Sequence, residues 1–370
     1  MRRDGWIQLP TGWVEGWIDF DSSILRIEGQ PGSAPGRGPR ILPGFIDLHV
    51  HGGGGADLME GHRALHQVAL THARHGTTRM LATTVTAPLA ELAEVLRGIR
   101  AGMDDPGPGE AKVLGVHLEG PFLNPARLGA QPPFTVQGQL AQVLELHALA
   151  PIRVLTLAPE SAGHLDLIQA LSALGIRIQI GHSDATYEEA CAALANGATG
   201  FTHLFNAMSP FHHRAPGVAG AALAQGDFAE LIPDLLHVHP GAIRAALRAI
   251  PNLYAVTDGT AASAMPDGEY RLGSQPVSKC ANGVRLADGT LAGSCLTMHG
   301  AFRNLVSIGL SIGEAARRCS AIPADFLGEP RLGRIGVGNP ADLVLLSESL
   351  ELEEVFVQGE AVPDVRGSAA

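Results

Sequence analysis

Short apolar runs alternate along the chain with longer stretches whose apolar residues recur at helical spacing. The runs Phe45–Val50, Thr78–Thr84, Lys112–Leu118, Ile152–Leu157, Ile176–Ile180, Gly200–His203, Ala229–Leu236 and Leu253–Thr257 read as strands. Ala-, Leu- and Glu-rich stretches at Leu89–Ala101, Val136–Leu149, His164–Leu174, Ala185–Ala195 and Gly241–Ile250 read as helices between them. Eight strands alternating with helices predict an α/β fold, a (β/α)8 TIM barrel. A doubly wound open sheet gives the same local alternation, so the strand count suggests the barrel without requiring it.

The two ends break this rhythm. Residues 1–42 hold Gly, Pro and Trp in short β-like pieces, with a Pro/Gly-rich loop at Gln30–Pro39. Residues 333–370 again show strand and turn chemistry, from Gly333 to Gln358, with no helical period. The economical reading is one small β-sandwich domain composed from both termini, 1–42 with 333–370, flanking a barrel of residues 43–332. Two independent β-rich ends are the alternative. After the eighth strand, residues 262–293 carry the turn signals Asp267-Gly268, Asn282-Gly283 and Asp288-Gly289. They predict a hairpin-containing insertion over the barrel mouth.

Composition narrows what such a fold can serve. The chain has 370 residues, 45% of them apolar, enough for a sizeable core. Its 26 basic and 37 acidic residues give a formal net charge of −11. That balance argues against nucleic-acid binding and against docking on an anionic membrane. One local Arg can still admit an anionic small substrate. Cys191, Cys280, Cys295 and Cys319 form no CxxC pair and read as reduced thiols. The opening Met1-Arg2-Arg3-Asp4-Gly5-Trp6 lacks the apolar run of a signal peptide, and no apolar stretch is long enough to span a bilayer. A cytoplasmic protein is expected.

Sixteen histidines is a high count, and their placement matters more than their number. In a barrel enzyme the reacting groups stand at the C-terminal ends of strands. The first predicted strand ends Asp47-Leu48-His49-Val50-His51. Alternation puts both imidazoles on one face, an arrangement suited to a metal ion. The third strand ends His117-Leu118-Glu119-Gly120-Pro121, the fifth Gly181-His182-Ser183, the sixth Thr202-His203 and the eighth Thr257-Asp258-Gly259. Each could be a structural residue on its own. One Glu, two His and one Asp at matching strand ends are hard to explain as packing. Imidazole and carboxylate suit Zn²⁺ or a similar first-row divalent ion. Such an ion takes about three protein ligands, keeps a position open, and brings the pKa of water toward about 7. An Asp beside that water can take its proton and pass it to a leaving amine.

These residues resemble the amidohydrolase superfamily over nearly the whole chain, and within it the N-acetylglucosamine-6-phosphate deacetylase family. The resemblance is carried by Pro43-Gly44-Phe45-Ile46-Asp47, by His117 to Phe122, by Gly181-His182-Ser183 and by Thr202-His203-Leu204-Phe205-Asn206-Ala207-Met208. Leu236-His237-Val238, Thr257-Asp258-Gly259 and Leu291-Ala292-Gly293-Ser294 add to it. The run Leu204 to Met208 is the family-specific one. Gly336-Val337-Gly338-Asn339-Pro340-Ala341-Asp342-Leu343 is similar to the superfamily's closing β segment.

The resemblance implies Glu119, His182 and His203 as ligands of a main divalent ion, with Zn²⁺ the first candidate. It implies Asp258 as general base and then general acid. His49 and His51 match relatives that hold a second ion, with Glu119 shared between the two. The implied substrate is a phosphosugar, N-acetylglucosamine-6-phosphate, hydrolysed to glucosamine-6-phosphate and acetate. Backbone N–H groups of Asn206 and Ala207 would meet its phosphate, and Arg214 would pair with it bidentately. Asp234, Leu235, Leu236 and His237 would line the sugar site, with His237 facing the substrate, and Leu291, Ala292 and Gly293 would close around it. Homodimers are usual in the family.

One position departs from the pattern. Where the family carries a Gly-Thr/Ala-His step against the substrate, this chain has Gly129-Ala130-Gln131. Gln131 can donate a hydrogen bond but cannot carry a proton. That leaves two alternatives open: another amidohydrolase acting on a related N-acyl sugar phosphate, and a catalytically silent sugar-phosphate-binding barrel. A dihydroorotase-like or hydantoinase-like enzyme would need a carboxylated Lys at a strand end. The chain has only Lys112 and Lys279, and neither is placed for it.

Overall fold

The computed structural model describes residues 1–281 and 283–365. Asn282 of the expected Asn282-Gly283 turn, and residues 366–370 of the expected terminal domain, lie outside the described residues. Six parallel strands form a curled sheet: β1 (Phe45–Val50), β2 (Thr77–Thr83), β3 (Lys112–Glu119), β4 (Ile152–Leu157), β5 (Arg177–Ile180) and β6 (Gly200–Phe201), side by side in chain order. β7 (Phe228–Leu231) and β8 (Asn252–Ala255) pair in parallel as a separate two-stranded sheet. Contacts join the two sheets at both sides. The Leu204 N–H donates to Glu230 O at 2.9 Å, and the Asp258 N–H donates to His49 O at 2.9 Å. Every residue of β1 and β2 is buried, the polar Asp47, His49 and Arg79 included, so each of these needs a partner inside the protein.

The strands near the site stop earlier than the apolar pattern predicts, each for a local reason. β6 ends at Phe201 because His203 turns to a φ of +28°. β7 ends at Leu231, well before the expected Leu236. Pro233 has no N–H for a ladder, and Asp234 folds the chain back by accepting the N–H groups of Leu236 and His237. β8 ends at Ala255, because Thr257 turns its hydroxyl onto Asp47 at 2.6 Å. The helix expected from Val136 begins at Leu140. The N–H of Val136 is committed to Pro121 O, and that of Gly138 to His164 Nε2.

Strands from both ends of the chain share one seven-stranded sheet. Its order is Glu360–Ala361, Leu352–Val357, Leu343–Leu346, Arg40–Pro43, Arg2–Leu9, Gly12–Phe20, Ile24–Gly32. Ile7, Ile18, Phe20, Ile41, Leu343 and Phe356 form its apolar core. A buried ion pair fastens it to the central sheet, with Arg79 Nε of β2 2.7 Å from Asp342 Oδ2. The insertion after β8 is a three-stranded antiparallel sheet of Gly268–Leu272, Gln275–Cys280 and Gly283–Arg285. Asp57 holds its first turn by accepting the Gly273 N–H at 2.7 Å. Among the described residues, no helix is long and apolar enough to cross a membrane.

Candidate metal centre

Glu119 is the last residue of β3, and His182 and His203 stand two residues beyond β5 and β6. His182, His203 and Asp258 all take positive φ, at 48°, 28° and 50°. For residues with a Cβ this costs of the order of 1–3 kcal/mol each. The turns bring the side chains together above the strand ends. Glu119 Oε1 lies 3.1 Å from His182 Nε2 and 3.1 Å from His203 Nε2, and the two nitrogens are 3.1 Å apart.

The donor set fits a cation. His182 Nδ1 lies 2.9 Å from the Arg127 carbonyl, which can only accept, so Nδ1 carries the ring proton. In the neutral ring Nε2 then aims a lone pair at the Glu119 carboxylate, acceptor against acceptor. A cation between them removes that conflict. Edges of this length suit three ligands about 2.0–2.1 Å from one ion.

A second group adjoins the first. His49 Nε2 and His51 Nε2 are 3.1 Å apart, and Asp258 Oδ1 lies 3.4 and 3.1 Å from them. The other Glu119 oxygen, Oε2, faces the same pair at 3.4 and 3.2 Å. Glu119 therefore offers one oxygen to each group. Both groups are buried.

The electrostatics follow from this crowding. Burial alone would raise the Glu119 carboxyl, but His49 and His182 beside it hold it well below the usual range. Asp258, likewise opposed by burial, is held at about 2 by His49 and His51. Burial would lower His51, yet Asp258 and Glu119 lift it to about 9. His117, under the site, is pushed to about 4 by burial and by His49.

Glu230 is a site residue that the sequence reading does not single out. It is fully buried in β7, and its Oε2 lies 2.9 Å from His49 Nδ1. The carboxylate fixes the His49 proton on Nδ1 and turns Nε2 toward the centre, a common support for metal-ligating imidazoles. The only sequence signal was one carboxylate inside the apolar run Phe228–Ile232.

A cavity of about 210 Å³ opens over these groups. Ala130, Gln131, Asn206, Ala207, His237, Leu291 and Gly293 line it, as do Ile232, Leu272 and Thr290, which the sequence reading does not name. Gln131 is clamped. Its Oε1 accepts the Thr86 N–H at 2.7 Å, and its Nε2 donates to Glu119 Oε2 at 2.7 Å. Asp234 sits behind His237, with Oδ2 2.6 Å from Nδ1, so Nε2 is the nitrogen left for the cavity. Ala292 is buried, Leu235 half-buried, and Leu236 exposed. The Asn206 N–H is already donated to His203 O, so it is not aimed at a ligand. Arg214 is not brought to the cavity. It is exposed, and its Nη1 lies 2.6 Å from His213 of the same loop. Neither lysine approaches the centre: Lys112 opens β3, and Lys279 Nζ donates to Ala262 O.

The chain belongs to the amidohydrolase family, whose model matches residues 40–362. Within it, the chain is 38% identical over 361 residues to N-acetylgalactosamine-6-phosphate deacetylase of Escherichia coli O157:H7, covering 94% of this chain and 96% of that one. It is 38% identical to N-acetylglucosamine-6-phosphate deacetylase of Vibrio furnissii, over 95% of this chain and 91% of the relative. The structure superposes at a TM-score of 0.90 and 32% identity on an N-acetyl-D-glucosamine-6-phosphate deacetylase variant of Mycobacterium smegmatis solved with N-acetyl-D-glucosamine-6-phosphate, covering 98% and 99% of the two chains. The Thermotoga maritima N-acetylglucosamine-6-phosphate deacetylase gives a TM-score of 0.90 at 33% identity, over 98% and 99%.

Proposed function

We propose that this chain hydrolyses N-acetyl-D-glucosamine-6-phosphate to D-glucosamine-6-phosphate and acetate, in amino-sugar catabolism. The observation that carries the reading is Glu119 between His182 and His203, with Asp258 across from it at the floor of one cavity. The relatives' shared activity supplies the substrate class.

Glu119, His182 and His203 would hold the main ion, taken to be Zn²⁺, and His49 and His51 with Glu119 Oε2 a second. A divalent ion there supplies Lewis acidity and acidifies water. Asp258, ionised at neutral pH, accepts the proton of the attacking water as its oxygen bonds to the acetyl carbon. Asp258 then returns that proton to the amine nitrogen as the C–N bond breaks. His237 Nε2, oriented through Asp234, reaches the substrate, while Gln131 keeps Glu119 in place rather than moving a proton. The phosphate would sit at the Ala207 end of the cavity, and Arg214 would become its cationic partner by swinging in from its exposed loop. Leu291 and Gly293 would close over the sugar.

The same reading takes the two parallel sheets as one closed eight-stranded barrel and the terminal strands, 1–42 with 333–370, as a composite β-sandwich domain. It takes the protein as a cytoplasmic homodimer.

The Escherichia coli relative favours one second reading, in which the galactosamine epimer is the substrate. Acetate release from the two phosphorylated epimers and from unphosphorylated N-acetylglucosamine, with and without Zn²⁺, decides it. Turnover of the phosphorylated glucosamine derivative alone supports the proposal. Preference for the galactosamine epimer moves the assignment to the second reading. No release from any of them, with metal bound, leaves a silent binding barrel.

A further inference from the structure

Away from the cavity, the helix His62–Ala73 begins with two histidines one turn apart. Residues at i and i+4 share a helix face, and these two rings converge. His62 Nε2 and His66 Nε2 are 3.1 Å apart. Behind His66 stands Glu110, whose two oxygens both lie 3.1 Å from His66 Nδ1. The carboxylate also accepts the Gly107 N–H at 2.8 Å. It places the His66 proton on Nδ1 and leaves Nε2 as a bare lone pair directed at His62.

The cluster is held by backbone approach. A Cβ on Gly102 would come within 3.2 Å of His62 Cδ2, and one on Gly107 within 2.5 Å of Glu110 Oε1. A side chain at Gly107 would displace the Glu110 carboxylate, while one at Gly102 would meet Leu65 first and press only lightly on His62. Glu110 is buried and His66 half-buried, while His62 is open to solvent.

We infer that His62 and His66, backed by Glu110, form a surface site for a divalent transition ion of the Cu²⁺ or Ni²⁺ kind. A nitrogen–nitrogen edge of 3.1 Å sets two imidazoles, each about 2.0–2.1 Å from one ion, at roughly a right angle. One ion can bridge two ligands at that angle, and imidazole ligands rank Cu²⁺ above its neighbours. The carboxylate–imidazole–ion order is the one that orients metal-ligating histidines elsewhere. On binding, the His62 ring carries its proton on Nδ1, which frees Nε2 for the ion, and water fills the remaining positions. The far end of the same helix touches the active centre, since His72 Nε2 donates to the Gly52 carbonyl beside His51. An ion at the near end would therefore brace a helix that backs a ligand strand.

Protein with Zn²⁺ at the active centre is titrated with Cu²⁺, following the copper electron paramagnetic resonance signal, the thermal midpoint and released Zn²⁺. The expected result is one more Cu²⁺ per chain than in His66→Ala or His62→Ala, with a midpoint rise that both variants lack and acetate release unchanged. Glu110→Gln should weaken the site about 10- to 100-fold. Equal Cu²⁺ uptake and equal midpoint response in the full chain and both His variants would overturn the site. Unweakened binding in Glu110→Gln would remove Glu110 from it.

Discussion

Gln131 donates its Nε2–H to Glu119 Oε2 at 2.7 Å, on the oxygen that also faces His49 and His51. The amide cannot reverse, because its Oε1 accepts the Thr86 N–H at 2.7 Å. A residue that departs from the family's His thus acts as a clamp on the shared carboxylate. Gln131→Leu should lower metal affinity about 10- to 100-fold. Chelator competition reads this directly, and affinity unchanged from the native chain would remove the clamp.

Asp258 is the one carboxylate at the centre proposed to move a proton. Asp258→Asn should reduce kcat by about 10²- to 10⁴-fold, the usual contribution of a general acid–base. Metal content, measured by elemental analysis, should stay at or above one ion per chain, because Glu119, His182 and His203 remain.

Glu230 holds the His49 ring at 2.9 Å and meets the first group through the His203 backbone N–H at 3.2 Å, a bond that a neutral amide oxygen can keep, so loss of its charge should bear mainly on the second group. Glu230→Gln keeps the shape but removes the charge that orients the ring. The second ion should weaken about tenfold while the first holds. Metal titration followed by isothermal calorimetry resolves the two steps.

Metal-free protein should show a distinct pH window. Asp258 falls from 3.8 to about 2 on folding, so its contribution is present above 3.8 and lost as pH drops through 2. His51 rises from 6.5 to about 9, so its contribution is full below 6.5 and gone above 9. Thermal midpoints of chelator-treated protein should be highest between those limits and fall on the alkaline side. Zn²⁺ should abolish the alkaline fall, since the ion binds neutral imidazole.

Arg79 and Asp342 are both buried and paired at 2.7 Å. Asp342→Ala leaves the guanidinium buried without its counter-charge. It should cost about 3–5 kcal/mol, read from urea unfolding.

Much of this centre was legible in the chain. Asp47-Leu48-His49-Val50-His51 declares its geometry because side chains alternate on a strand, and Glu119 sits where a buried run ends. His182 and His203 were readable as strand-end residues, though not their left-handed turns, which depend on neighbours distant in sequence. Glu230 was hidden because its partner lies 181 residues away. Periodicity also overran the ends of β6, β7 and β8, because it registers apolar side chains and not the backbone commitments of Pro233 or Thr257. Arg214 shows the opposite limit: a motif can name a residue without saying which surface presents it.

The seven-stranded terminal sheet has a consequence for the order in which the chain matures. Arg40–Pro43 lies between Arg2–Leu9 and Leu343–Leu346. Its second neighbour is synthesised about 300 residues later, a wait of roughly 15–60 s at typical ribosomal speeds. Through that interval the newborn N-terminal strands present an open, pairing-competent edge. Strands made about 300 residues after it are the ones that seal it.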